Sequence, residues 1–456
     1  FVLRMNNWIR WSCIWLVSGI SLSATAQPHD AIQSAYDRFL PQWQKAVKKA
    51  SITGVSWAVF TVDTILYADG WGHANKALKI DATPTTPYRI GSITKLFTAT
   101  LALQHTLDSH WSMGTTWDTL LPDTEVRSLY PNASPITLRH LLSHQSGLPS
   151  DILKGAFTTY PNEPDRLLKQ LPKTYLILPP GKMTVYSNIA YTALGLALER
   201  ATDTSYAALL QRHITDPLGL THTTLHADSI LTKAYNEKGR AAAEPFIRDI
   251  PAGGLYSTVI DIASFAQSWM SHTILPAALV EEAWQAQNHS LPLDLELEQG
   301  LGWQIRQWGS AGKVVWRNGA NRYYRSMLAL SPDLQPGIVM LSNDIRSEPL
   351  LSLAFQFLDL VGQEAGLRPK QSRNQWVPDE LPTIDLPASL LATYTGTYIM
   401  PGYRFKITLQ NDKLKARMPG TTFTLIPVDS HLFYPVSRSW IFFTKAEKST
   451  LLSFQE

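Results

Sequence analysis

Strand-length apolar runs stand at both ends of a long, helix-patterned middle, and that order leaves few folds open to the chain. Residues 55–62 and 65–70 read as two strands parted by the polar pair Asp63-Thr64. Four more strand runs return only at 302–305, 313–316, 324–330 and 337–341. Between the two groups, apolar residues recur at helical spacing over 92–107, 188–201 and 258–272. Helical spacing also brackets the set, at 31–50 (Ile32, Ala35, Phe39, Trp43, Val47) and at 350–360. Strands first, helices in the middle, strands and a helix last define an α+β class. The terminal strands are then free to join one antiparallel sheet beside a helical region.

Past residue 362 the texture changes. Residues 363–385 are polar and interrupted by Pro369, Pro378 and Pro382, which marks a linker. Short strand runs follow at 394–400, 403–409, 413–418, 422–427, 431–434, 440–443 and 451–454, with Pro401-Gly402, Asn411-Asp412 and Pro419-Gly420 as turns. So many short strands without a helix predict a small all-β, barrel-like (lipocalin-like) domain over 386–456. The main domain is expected over 27–362.

Residues 1–26 read as a secretory leader. Arg4 and Arg10 precede an apolar stretch over 11–22, and Ala24-Thr25-Ala26 offers a cleavage site. The apolar stretch is shorter than the roughly 20 residues that span a bilayer, so no stable transmembrane anchor is expected. A secreted or periplasmic location follows. The single cysteine, Cys13, excludes an intrachain disulfide framework and a thiolate metal cluster. With 40 Lys and Arg against 37 Asp and Glu, the charge balance gives no reason to expect a nucleic-acid partner.

Several signatures are missing. The chain has no G-x-S-x-G, no H-E-x-x-H, no Walker A and no G-x-G-x-x-G, so no cofactor or metal is expected. What it has is Ser92-Ile93-Thr94-Lys95, preceded by Gly91 and followed by an apolar helix. A serine at a helix start meets free N–H groups and the positive end of the dipole. A lysine three residues on returns to the same face, and a serine needs such a neighbour to become a nucleophile. Ser310-Ala311-Gly312-Lys313 matches the same pattern but reads as a hairpin turn. Tyr186-Ser187-Asn188 stands just ahead of another apolar helix, where a loop side chain can project into a cleft. Tyr130-Pro131-Asn132 and Tyr160-Pro161-Asn162 share its pattern in turn-rich sequence. A tyrosine near cations can ionise more easily and act as a base. Finally Arg317-Asn318-Gly319-Ala320 follows the strand at 313–316, where Gly permits close backbone approach and Arg can hold a carboxylate.

In this order, Ser92-x-x-Lys95, Tyr186-x-Asn188 and Arg317-Asn318-Gly319 resemble the three motifs of the serine β-lactamase and penicillin-binding-protein superfamily. The Y-x-N form is similar to the class C β-lactamase branch. Three flanks strengthen the likeness: the segment 136–148 (Ile-Thr-Leu-Arg-His-Leu-Leu-Ser-His-Gln-Ser-Gly-Leu), the segment 180–191, and Pro251-Ala252-Gly253-Gly254-Leu255-Tyr256-Ser257. The resemblance covers roughly residues 35–362 and implies an acyl-enzyme mechanism without a cofactor. Ser92 would attack a carbonyl, and Lys95 and Tyr186 would share the proton transfers. The N–H groups of Ser92 and Ala320 would form the oxyanion hole, and Asn188 would bond the acyl side chain or Lys95. Arg317 stands where the family usually has Lys or His; it keeps the charge but cannot shuttle a proton. Ordinary class C β-lactamases lack the C-terminal β module, so a peptidase or esterase is expected before a dedicated β-lactamase. The substrate is a small molecule or peptide, with Arg317 favouring one that bears a carboxylate. The alternative is a catalytically silent binding protein whose functional part is the β module.

Overall fold

A computed structural model describes residues 28–455 apart from 109, 161–163, 226–230, 289–293, 295–297, 370–382 and short turns of the C-terminal module (401–402, 419–420, 429–431, 436–439 and 447–448). The leader expected over 1–26 and most of the linker expected over 363–385 lie outside the described residues. The strands of the main region are β1 (Gly54–Phe60), β2 (Ile65–Asn75), β3 (Ile80–Asp81), β4 (Tyr88–Arg89), β5 (Phe157–Thr158), β6 (Phe246–Ile247) and β7 (Tyr256–Ser257). They continue with β8 (Glu298–Gln299), β9 (Gln304–Trp308), β10 (Gly312–Asn321), β11 (Tyr324–Leu330) and β12 (Gly337–Ser342).

Eight of these make one antiparallel sheet in the order β3-β2-β1-β12-β11-β10-β9-β8. Strands from the two ends of the domain meet at its middle, in register from Val55↔Ser342 to Phe60↔Gly337. Because side chains alternate along a strand, β1 feeds two cores. Val55, Trp57 and Val59 pack with Phe39, Trp43 and Val47 of the helix Pro28–Ala50 and with Phe357, Leu358 and Val361 of the helix Leu353–Glu364. Ala58 and Phe60 face the helical region with Phe97, Phe265 and Trp269. Each large side chain so buried contributes about 1.5–3 kcal/mol. The helix Pro28–Ala50 presents its apolar stripe to this core and suits its own dipole, with Asp30 in the first turn and Lys48 and Lys49 in the last.

The helix Thr94–Leu107 is buried on every side from Thr94 to Leu103, packed against the helices Asn188–Thr202 and Ile250–Gly253. A helix enclosed this way shows no clean polar face. One element beside Ser92 departs from the sequence expectation. The strand expected to stop at residue 316 runs on as β10 to Asn321, so the Arg317 motif lies inside a strand and the hairpin turn comes after it, with Arg322 at φ +53°. The serine pattern at 310–313 is a turn as expected, spanning the β9–β10 hairpin.

The C-terminal module contains β13 (Gly396–Met400), β14 (Tyr403–Gln410), β15 (Lys413–Met418), β16 (Thr421–Pro427), β17 (Leu432–Pro435), β18 (Trp440–Ala446) and β19 (Ser449–Gln455). Each pairs antiparallel with its sequence neighbour. Asn411 and Asp412 both take positive φ, as a two-residue hairpin turn requires. A short helix, Ala388–Ala392, leads into the strands where none was expected. The molecule is thus α+β with an all-β region at its C-terminus.

Candidate active site

Ser92 lies in a single 3-10 turn, Gly91–Ile93, that runs directly into the helix Thr94–Leu107. Gly91 has φ +50°, and a Cβ there would fall 2.8 Å from the backbone N of Ala320. From the other side, a Cβ on Gly319 would fall 2.1 Å from the carbonyl O of Ile90 and 3.0 Å from the backbone N of Ser92. Two glycines therefore let β10 and the Ser92 turn approach backbone to backbone. Short strands fix the turn's other flank: β4 pairs β7 through Tyr88↔Ser257 and Arg89↔Tyr256. That pairing brings the Pro251–Tyr256 stretch, including Ala252, alongside the turn.

Lys95 sits one helical turn beyond Ser92 and is wholly buried. Its ammonium donates to Ser92 Oγ at 3.2 Å, to Asn188 Oδ1 at 2.6 Å and to the carbonyl of Ala252 at 2.8 Å. Tyr186 comes from the loop ahead of the helix Asn188–Thr202, and its hydroxyl hydrogen-bonds Ser92 Oγ. Ser187 caps that helix by accepting from Ala190 N, and so sets the direction of the two residues beside it. The Tyr186 ring has the Lys95 ammonium 4.7 Å from its centre and the Arg317 guanidinium 5.2 Å away.

Arg317 points from β10 into the helical region and is 1% exposed. Its Nη2 lies 3.2 Å from His144 Nε2, while Nε and Nη1 are buried with no hydrogen-bond partner among the described residues. Strand alternation places Gly319 on the same face as Arg317 and turns the exposed Asn318 to the opposite one. Of the residues expected at the site, Ser92, Lys95, Tyr186, Asn188, Arg317 and Gly319 converge, with the backbone of Ala320 beside them; the side chain of Asn318 does not.

Two cations beside one phenol shape the titration of the phenol and of Lys95. Burial pushes the Tyr186 phenol up, but Lys95 and Arg317 together pull it down further, so it lies below the ordinary tyrosine value. Burial likewise lowers Lys95, opposed by Tyr186 and assisted by Arg317. His144 is held well below the usual histidine range, first by burial and then by Arg317 and Lys95, and is neutral.

His144 and Asp151 are absent from the sequence-derived site. His144 accepts from Ser187 N through Nδ1 at 3.1 Å and stacks obliquely on Tyr186, 4.6 Å between ring centres. The only signal for it was its place in the flanking segment 136–148. Asp151 accepts from Asn188 Nδ2 at 2.8 Å and carried no signal at all.

The antiparallel sheet flanked by helices and the family match put the chain in the serine β-lactamase and penicillin-binding-protein superfamily. The chain belongs to the Beta-lactamase family, whose model matches residues 42–363. It is 25% identical to Beta-lactamase-like protein 2 of Dictyostelium discoideum over 387 residues, 77% of this chain and 68% of that protein. It is 24% identical to Protein flp of Staphylococcus aureus over 310 residues, 65% of this chain and 61% of that protein. Among solved structures, SurE matches with TM-score 0.70 at 21% identity, over 93% of this chain and 98% of SurE. An octameric penicillin-binding protein homologue from Pyrococcus abyssi matches with TM-score 0.63 at 21% identity, over 92% and 98%. EstCE1, a hydrolase with promiscuous acyltransferase activity, matches with TM-score 0.63 at 19% identity, over 73% of this chain and all of EstCE1. At these identities the solved structures speak to the fold alone. No helix among the described residues is long and apolar enough to cross a membrane.

Proposed function

We propose that the chain is an extracytoplasmic serine hydrolase that works through an acyl ester on Ser92. The observation that carries this reading is the double contact at one hydroxyl: Ser92 Oγ is bonded by the Tyr186 hydroxyl and by the Lys95 ammonium. Buried cations need a counter-charge, and no carboxylate pairs with Arg317 among the described residues. A phenolate at Tyr186 answers both cations and is the base of this proposal. The proton of Ser92 passes to the Tyr186 oxygen as Oγ bonds the carbonyl carbon. The oxyanion settles between the amides of Ser92 and Ala320, where each donor is worth about 10²–10³ in rate. Tyr186 then protonates the leaving oxygen or nitrogen as its bond to carbon breaks. Water attacks the Ser92 ester, its proton returns through Tyr186 to Ser92, and the acid departs.

Peptide or amide, ester and β-lactam carbonyls all suit this chemistry, with peptides and esters favoured. The appended β module, which ordinary class C β-lactamases lack, supports that preference. Arg317 acts here on Tyr186, since its sealed guanidinium is poorly placed to grip a substrate carboxylate. The location outside the cytoplasm rests on the leader-like composition of residues 1–26. A fluorophosphonate probe should label the native protein and leave Ser92→Ala unlabelled. Equal labelling of both, with the adduct on another residue, would sink the assignment.

A further inference from the structure

Asn188 stands between Lys95 and open solvent, with both ends of its amide engaged. Its Oδ1 accepts from the Lys95 ammonium at 2.6 Å, and its Nδ2 donates to Asp151 Oδ1 at 2.8 Å. These contacts fix the amide's orientation, because only the oxygen can face an ammonium and only the NH₂ a carboxylate. One N–H that could otherwise bond an acyl-side carbonyl is therefore held by a carboxylate. Asp151 is exposed, and its other oxygen accepts only from Ser150 Oγ, at 3.0 Å, among the described residues. A carboxylate has about four lone-pair sites, so acceptor capacity remains towards solvent. No lysine or arginine pairs with Asp151 among the described residues. The Asn188 amide joins the two groups, which puts the Asp151 carboxylate one side chain away from the lysine that touches Ser92 Oγ.

A full negative charge one side chain away from the Ser92–Lys95 pair repels acidic acyl groups and attracts cationic ones. We infer that Asp151 selects acyl donors carrying a free, protonated amine close to the scissile carbonyl. These are amino-acid esters or amides, and peptides cut behind their N-terminal residue. The inference rests on the Ser92 acyl-enzyme reading and adds its substrate class. The covalent steps are unchanged: the carbonyl carbon exchanges its leaving oxygen or nitrogen for Ser92 Oγ, and Tyr186 supplies the leaving group's proton. The amine keeps its own proton and pairs with Asp151.

The full chain, tested on alanine benzyl esters and p-nitroanilides, each free and N-acetylated and each in D and L form, separates this from a purely orienting role. The native protein should favour the free amines. In Asp151→Asn the new amide oxygen still accepts from Asn188, so orientation is kept while charge is lost. The free-to-acetylated ratio of kcat/KM should fall about tenfold, the low end of what a charged hydrogen bond contributes. Asp151→Glu should retain the preference. A ratio that does not move, an equal fall for both members of a pair, or turnover confined to acetylated substrates overturns the inference. Fluorophosphonate labelling of Ser92 in the same preparations tells which idea has failed. With labelling intact, only the role of Asp151 falls; with neither labelling nor turnover, the acyl-enzyme reading falls with it.

Discussion

At the scale of single residues, the site is one hydroxyl shared by a phenol and an ammonium, with a second cation behind the phenol. Tyr186→Phe removes only the hydroxyl and leaves the ring against His144 and Lys95. If that hydroxyl moves the proton, kcat should fall about 10²–10⁴-fold, or about 3–5 kcal/mol. Steady-state kinetics check it, and a kcat within about threefold of native would leave the base role with Lys95. Arg317 makes a separate, pH-dependent prediction. A nearby positive charge favours the deprotonated form of an acid, so removing it in Arg317→Gln raises the proton affinity of both Tyr186 and Lys95. The rising limb of kcat/KM against pH should move to higher pH in that variant and stay in place in Arg317→Lys. That Ser92 and Lys95 share one helix face was legible because three residues are about one helical turn. Giving that pair a role, and adding Tyr186 and Arg317 to it, took the family resemblance. His144 meets Arg317 across 173 residues and Asp151 meets Asn188 across 37, and no local pattern encodes such contacts.

At the scale of elements, β10 is where sequence and structure part. Asn and Gly disfavour strands and favour turns, so Arg317-Asn318-Gly319 reads as the end of a strand. Packing overrides that preference. Ser326 of β11, the partner of Gly319, donates through Oγ to the Ile90 carbonyl at 2.7 Å, and Gly319 lies against the same carbonyl, which holds both strands to the Ser92 turn. Gly319→Ala would place a carbon 2.1 Å from that oxygen and force the two apart. Overpacking of this kind costs about 1–3 kcal/mol of stability. Withdrawing one oxyanion donor should add a loss of about 10²-fold in kcat. Kinetics set beside thermal denaturation separate the two effects. Unchanged turnover would show that the paired amides do not receive the oxyanion.

At the scale of the whole molecule, the main region is a sheet with a core on each side, and the C-terminal module keeps its own cluster of Tyr394, Ile407, Leu414, Leu425 and Phe433. The module's strands were legible in number and order, though not at every end, because alternation and paired turn residues are local signals. The pairing of β1 with β12 was legible only as a possibility, since apolar runs do not name their partners. With its core separate, the module should be removable: a chain ending at residue 385 is expected to keep fluorophosphonate labelling of Ser92. If that chain loses ligand binding, and the full chain never turns over a substrate, the module is the functional part instead. The closure of the sheet has one more consequence. Ser342 reaches back to the Gly54 carbonyl across 288 residues, and β10, which completes the surroundings of Ser92, belongs to the same late group of strands. A ribosome therefore releases Ser92 long before β10, and contacts so far apart in sequence form slowly. On the acyl-enzyme proposal, the nascent chain carries its nucleophile unarmed until β10 emerges and completes the site.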